Sequence, residues 1–154
     1  MLVKHVSRRL QDRNWRLAVA ESATGGLLGH RITQVPGSSD YFWGGVIAYA
    51  DDVKRALLGV RGETLENWGA VSTQAALEMA QGICRATGAE VGISVTGIAG
   101  PTGATAYKPI GLYYIGLAVP GESWCWRHHF AGTRQENNEE AAESALRHLL
   151  NYLK

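Results

Sequence analysis

Apolar positions recur along this chain at two different spacings, and the alternation between them lays out its elements. Leu2, Val3, Val6 and Leu10 fall at helical spacing, which predicts a helix over residues 2–13. Leu17-Ala18-Val19-Ala20 is a short unbroken apolar run and reads as a buried strand. Leu27, Leu28 and Ile32 return to the helical period, so a second helix is expected from about Thr24 to the turn signal Pro36-Gly37-Ser38-Ser39. The aromatic and β-branched stretch 41–49, interrupted by Gly44-Gly45, predicts a strand over 45–49 and then a helix over 52–58 stopped by Gly59. Residues 60–71 read as a connection with room for a turn of helix. Ser72 caps an amphipathic helix over 73–87, with Ala76, Met79, Ala80 and Ile83 inward and Gly88 at its end.

Beyond that helix the period changes to two. Residues 90–96 and 112–119 read as strands, and Pro120-Gly121-Glu122 turns the second into a third over 123–130 as an antiparallel hairpin. Trp124, Trp126, His128 and Phe130 share one face of that last strand. We assign this aromatic face to the core; used as a dimer surface instead, it would make the protein a homo-oligomer. Thr133-Arg134-Gln135-Glu136 fits a capping box that opens a helix over 134–153. The order of elements predicts the α/β class: residues 1–154 as a single three-layer α/β/α domain, with a mixed sheet of about five strands and helices on both faces.

Composition narrows the function classes. A hydrophobic content of 45% with 19% charged residues is that of a globular chain, and 154 residues suit one core. A net charge of +1 offers no overall basic field for nucleic acid or a membrane surface. No stretch is long enough to span a bilayer and the first residues lack an apolar segment of signal length, so a cytoplasmic location is expected. Cys84 and Cys125 lie far apart and read as buried free thiols of a reducing compartment. No His, Cys and carboxylate residues fall at metal-ligand spacing, and Gly-x-Gly-x-x-Gly, Gly-Lys-Ser/Thr and Gly-x-Ser-x-Gly motifs are absent. Neither a metal nor a cofactor is expected.

Candidate chemistry gathers in four places. Glu21-Ser22-Ala23-Thr24-Gly25-Gly26 carries a strand into a helix through a hydroxyl and two glycines, a geometry that favours developing negative charge. Taken alone, Ser22 reads as a helix cap. Lys54, near the start of the helix after Gly44-Gly45-Val46-Ile47-Ala48-Tyr49, becomes a base if it is held in an apolar pocket. Ser94-Val95-Thr96-Gly97-Ile98-Ala99-Gly100-Pro101 ends a strand in a backbone-rich wall, where α/β sheets bind ligands. The long loop 97–109 that follows is rich in Gly, Thr, Ala and Pro. Arg134, a cation in the first turn of a helix, is poorly matched to the helix dipole and better suited to facing an anion.

Glu-Ser-Ala-Thr-Gly-Gly, Pro-Gly-Ser-Ser, Gly-Gly-Val-Ile-Ala-Tyr followed by Lys, Gly-Ala-Val-Ser, Thr-Gly-Ile-Ala-Gly-Pro and Lys-Pro-Ile-Gly occur here in one order. In them the chain resembles the CinA C-terminal domain family, the nicotinamide-nucleotide amidohydrolases, over nearly its whole length and in the stand-alone form. The resemblance implies hydrolysis of nicotinamide mononucleotide to nicotinate mononucleotide and ammonia in pyridine-nucleotide salvage, by a Ser–Lys pair. It implies Ser22 as nucleophile, Lys54 as general base and Tyr49 as their partner. Thr24, Gly25, Gly26, Gly45, Thr96, Gly97, Gly100 and Arg134 would then bind substrate. The chain departs from the family pattern at Ala23, where Cys is common, and at Asp51-Asp52-Val53-Lys54, where Asn-Glu-Ala-Lys is usual. It departs again at Thr133 and Asn138, where Asp and a second basic residue are usual, and in the loop 102–107. Two other readings use the same cleft: a mononucleotide-binding module without turnover, and an amidohydrolase for another small amide.

Overall fold

A computed structural model describes residues 1–154. The helices are α1 (Leu2–Asp12), α2 (Leu27–Thr33), α3 (Asp51–Leu58), α4 (Gly62–Trp68), α5 (Thr73–Thr87) and α6 (Arg134–Leu153). The strands are β1 (Leu17–Glu21), β2 (Phe42–Ile47), β3 (Val91–Gly97), β4 (Leu112–Val119) and β5 (Glu122–His129). They form one sheet in the order β2-β1-β3-β4-β5. β1 runs parallel to both β2 and β3, while β3, β4 and β5 are antiparallel in turn. The sheet is therefore mixed, as the pattern of polar and apolar residues predicts.

The two faces of the sheet are packed differently. On one face α1, α2 and α6 cover large side chains, among them Leu10, Leu17, Val19, Ile93, Ile115, Leu146 and Leu149. Trp124 and Trp126 extend this layer, the first against Tyr152 and the second stacked on His148 at 4.0 Å between ring centroids. The aromatic face of β5 is thus turned toward α6. His128 Nε2 lies 2.8 Å from His148 Nε2, and burial together with its neighbour pushes the His148 pKa down to about 4. On the other face α3, α4 and α5 lie against small residues. A Cβ at Gly92 would overlap the Ala80 carbonyl, one at Gly116 the Ala76 carbonyl, and one at Gly82 of α5 the Leu58 carbonyl of α3. Here backbone approaches backbone, and only glycine leaves the space.

Several expected boundaries move. β2 begins at Phe42 and ends at Ile47, because Gly44 sits in a register shift against β1 instead of ending the strand, and Tyr49 lies beyond it. α2 begins at Leu27 and not near Thr24, since Gly25 and Gly26 take left-handed φ values of 59° and 106°. The connection 60–71 contains a full helix, α4. Cys84 and Cys125 are free but only half-buried, and burial pushes both thiols up to about 11.

No helix is long and apolar enough to cross a membrane. The chain leaves β1 through α2 on one face and leaves β2 through α3 to α5 on the other. The sheet order thus reverses at β1, and a crevice opens beyond the carboxyl ends of β1 and β3, where open α/β sheets hold ligands.

Candidate active site

Ser22 is the first residue after β1. Its N–H donates to the Val95 carbonyl on one side, while the Ala48 N–H donates to the Glu21 carbonyl on the other, so the turn is held between two strands. The Glu21 side chain is buried and accepts from Thr24 Oγ1 at 2.6 Å and from the Leu28 and Gly29 N–H groups at 2.9 Å. It caps α2, whose first N–H groups would otherwise lack partners. A Cβ at Gly29 would meet this carboxylate at 3.4 Å, an ordinary contact, so the neighbour at Gly29 is the protein's own Glu21.

Lys54 projects from α3 and is buried, with 1% of its surface exposed. Its Nζ lies 3.0 Å from Ser22 Oγ and donates to the Tyr49 carbonyl at 3.0 Å. Asp51 Oδ1 stands 4.0 Å away, beyond hydrogen-bond reach. Burial lowers the Lys54 pKa from its ordinary value, and the Asp51 charge partly opposes that shift. A buried amine biased toward its neutral form, with a lone pair within reach of a hydroxyl, is equipped to remove that hydroxyl's proton.

These groups open onto a cleft of about 290 Å³, near the lower end of small-molecule sites, roughly 300–1,000 Å³. Ser22, Tyr49, Lys54, Thr96, Gly97 and Arg134 line it, as do Asp51, Ala70, Val71 and Thr102. Thr96 Oγ1 donates to the Ala70 carbonyl at 2.9 Å and ties that wall to β3. Arg134 donates to the Gly100 carbonyl at 2.9 Å and to the Tyr49 hydroxyl at 3.2 Å, closing the side opposite α3.

Six expected site residues have other positions or other parts to play. Tyr49 meets Lys54 through its backbone carbonyl; its side chain is 62% exposed and turned to Arg134, so the phenol is not part of the Ser–Lys contact. Thr24, Gly25 and Gly26 do not line the cleft. The Thr24 hydroxyl is bound to Glu21, and the Gly25 N–H donates to the Ser22 carbonyl. The N–H groups of Ala23, Thr24 and Gly26 have no partner within the chain. Gly45 lies in β2 against the Val19 carbonyl, where a Cβ would collide at 2.6 Å; its role is strand contact. Gly100 also lies off the cleft and contributes only its carbonyl, to Arg134.

Three further residues shape the site. Asp51 is signalled by its place three residues before Lys54 on one helix. Glu21 adjoins Ser22, but nothing in the sequence shows that its side chain turns onto α2. Asn137 is fully buried, accepts from the Gly132 N–H at 2.9 Å and donates to the Ala99 carbonyl at 3.0 Å. It fastens the wall after β3 to α6, a contact that depends on a loop path no local pattern encodes.

The model of the CinA C-terminal domain matches residues 1–153. The chain belongs to that family. A CinA-like protein of Syntrophobacter fumaroxidans is 47% identical over 145 residues, covering 94% of this chain and 34% of the relative. A CinA-like protein of Thermosynechococcus vestitus is 54% identical over 130 residues, covering 84% of this chain and 31% of the relative. The chain therefore spans about a third of the length of the curated relatives it matches, as it does with a relative of which it covers 37%. Among solved structures, a CinA superfamily protein of Klebsiella pneumoniae superposes with a TM-score of 0.95 at 34% identity, over 99% of this chain and 95% of that one. A CinA superfamily protein of Enterobacter cloacae gives 0.96 at 33% identity, over 99% and 90%.

Proposed function

We propose that this CinA-family chain is a serine amidohydrolase that converts nicotinamide mononucleotide to nicotinate mononucleotide and ammonia. The observation that carries the reading is the 3.0 Å contact between Ser22 Oγ and the buried Lys54 Nζ at the mouth of the crevice. Neutral Lys54 takes the Ser22 proton as Oγ bonds to the carboxamide carbon. The carbon–nitrogen bond then breaks, and the proton on Lys54 passes to the departing ammonia. Water attacks the acyl-enzyme, gives a proton to Lys54, and the carboxylate leaves as that proton returns to Ser22 Oγ. The Tyr49 carbonyl orients Nζ through both halves of the cycle. The N–H of Ala23, which lines the cleft beside the nucleophile and has no partner of its own, is the donor for the oxyanion; such a donor is typically worth a factor of about 100–1,000 in rate. Arg134 is the cation for the substrate phosphate.

Ammonia release from nicotinamide mononucleotide by the purified protein tests the reading. Ser22→Ala is expected to lower it by about 10⁴-fold or more while the melting curve keeps its shape. Full activity in that variant overturns the mechanism. A second reading, an amidase for a smaller amide, draws on the modest cleft and on Asn138, which brings no positive charge for a phosphate and whose Oδ1 accepts from the Tyr113 hydroxyl at 2.6 Å. Faster release from nicotinamide than from its mononucleotide would favour it. Binding of the mononucleotide with no release would favour a binding module.

A further inference from the structure

The cleft is lined by three side chains that carry charge, Lys54, Asp51 and Arg134, with Tyr49 as its other titratable group. Arg134 is engaged by the Gly100 carbonyl and the Tyr49 hydroxyl. Asp51 is not similarly engaged. It opens α3, its side chain is 59% exposed, and its one charged neighbour is Lys54 at 4.0 Å. The reaction needs Lys54 neutral, and in that state Asp51 faces the cleft with no counter-ion. A carboxylate on the α3 wall and a guanidinium on the α6 wall then suit a ligand with a positive charge near the scissile amide and a negative charge farther away.

We propose that Asp51 selects an amide borne on a cationic ring, exchanging the Lys54 ammonium for the ring as its counter-ion, so that binding frees Lys54 to act as base. The inference rests on the amidohydrolase reading above and names the feature of the substrate that this chain reads. As the cationic ring settles beside Asp51, the carboxylate's hold on the Lys54 proton weakens and that proton leaves to solvent. A neutral ring with the same amide and phosphate would not bring this about.

Nicotinamide mononucleotide and its dihydro form provide the pair, since they share amide, ribose and phosphate and differ in ring charge. Their dissociation constants are measured by calorimetry on Ser22→Ala and on Ser22→Ala/Asp51→Asn at neutral pH. Asp51→Asn is expected to weaken the oxidised nucleotide about fivefold to tenfold, the scale of a part-exposed charge pair, and to leave the reduced one within about twofold. Asp51→Glu is expected to restore the preference. In turnover with otherwise native protein, the base-side pKa of kcat should lie below that of kcat/KM, because the first reports the complex and the second the free enzyme. Asp51→Asn should close that gap. Equal weakening of both nucleotides, no weakening of either, or a gap that survives Asp51→Asn overturns the inference. If the wild type releases ammonia and the oxidised-to-reduced preference is unchanged in Asp51→Asn, the inference falls and the amidohydrolase reading stands. If neither nucleotide is bound or hydrolysed, both fall together.

Discussion

β1 has a cation at each end, and the two are treated in opposite ways. At the amino end, Arg16 grips Glu90: its NH2 group lies 2.5 Å from one carboxylate oxygen, and its Nε and backbone N–H reach the other at 3.0 and 2.8 Å. Arg16 also lies over the Trp43 ring at 4.8 Å. Hydrogen bonding to Arg16, against a smaller cost of burial, draws the Glu90 carboxyl down to about 2. At the carboxyl end, Lys54 is buried and is given a hydroxyl and a carbonyl, with its carboxylate kept at 4.0 Å. The first arrangement satisfies charge at a partly exposed site. The second leaves a buried amine short of charge compensation, which costs stability and favours its neutral, proton-accepting form. The proposed chemistry belongs to the end of the strand where the electrostatics are left incomplete.

Lys54→Met puts the largest strain on this contrast. Ammonia release should fall by about 10⁴-fold or more, while resistance to denaturation rises. The folded protein lowers the Lys54 pKa below its unfolded value of about 10.4, so over the interval between the two the unfolded chain binds more protons. Lys54 therefore detracts from stability in full below its folded pKa, and the deficit disappears as pH rises to the unfolded value. Thermal melts should show the gain of Lys54→Met at pH 7 shrinking toward pH 10. A variant less stable than wild type at pH 7 would break the comparison.

Gly82→Ala should have the next largest effect. The added Cβ meets the Leu58 carbonyl and forces α5 away from α3, at about 1–3 kcal/mol by urea denaturation. Because α3 carries Lys54, activity should fall with stability, whereas the Arg16–Glu90 end should keep its geometry. Glu90→Gln is the mildest test: a loss of about 0.5–1 kcal/mol at pH 7, with ammonia release unchanged. The contribution of Glu90 is complete above its unfolded pKa near 4.5 and is lost as pH falls toward 2, so wild type and variant should draw together below pH 4.5 and converge when unfolded near pH 2.

The fold was legible from period and punctuation where those signals are strong. The helix over 73–87 and the capping box at Thr133 stand as read, with both halves of the box formed. The pattern misled where glycines served packing. Gly44-Gly45 reads as a strand break, yet the pair lies inside β2, where Gly44 takes up a register shift and Gly45 is pressed by Val19 of β1. In the site, Ser22, Lys54, Thr96, Gly97 and Arg134 come together from β1, α3, β3 and α6. The Tyr49 phenol, Gly45 and the Thr24-Gly25-Gly26 run do not line it as expected, since proximity in sequence does not fix which atom of a residue faces a cleft. Asn137 and the Glu21 cap were hidden for the opposite reason: each contact is made across a loop, and its partner is a backbone group that any sequence would supply.

The hydrogen bonds around Ser22 also bear on how the site can breathe. Its amide is bonded to β3, and the preceding carbonyl is bonded to the chain after β2, so releasing the nucleophile means opening the middle of the sheet. Residues 99–103 hang from Asn137 and Arg134 by single contacts to the Ala99 and Gly100 carbonyls. In native-state hydrogen exchange the Ser22 amide should be among the last to exchange, and those of the 99–103 wall among the first. Entry and exit would then be a matter of wall motion on a fast timescale, with the reacting oxygen fixed by the part of the molecule that unfolds last.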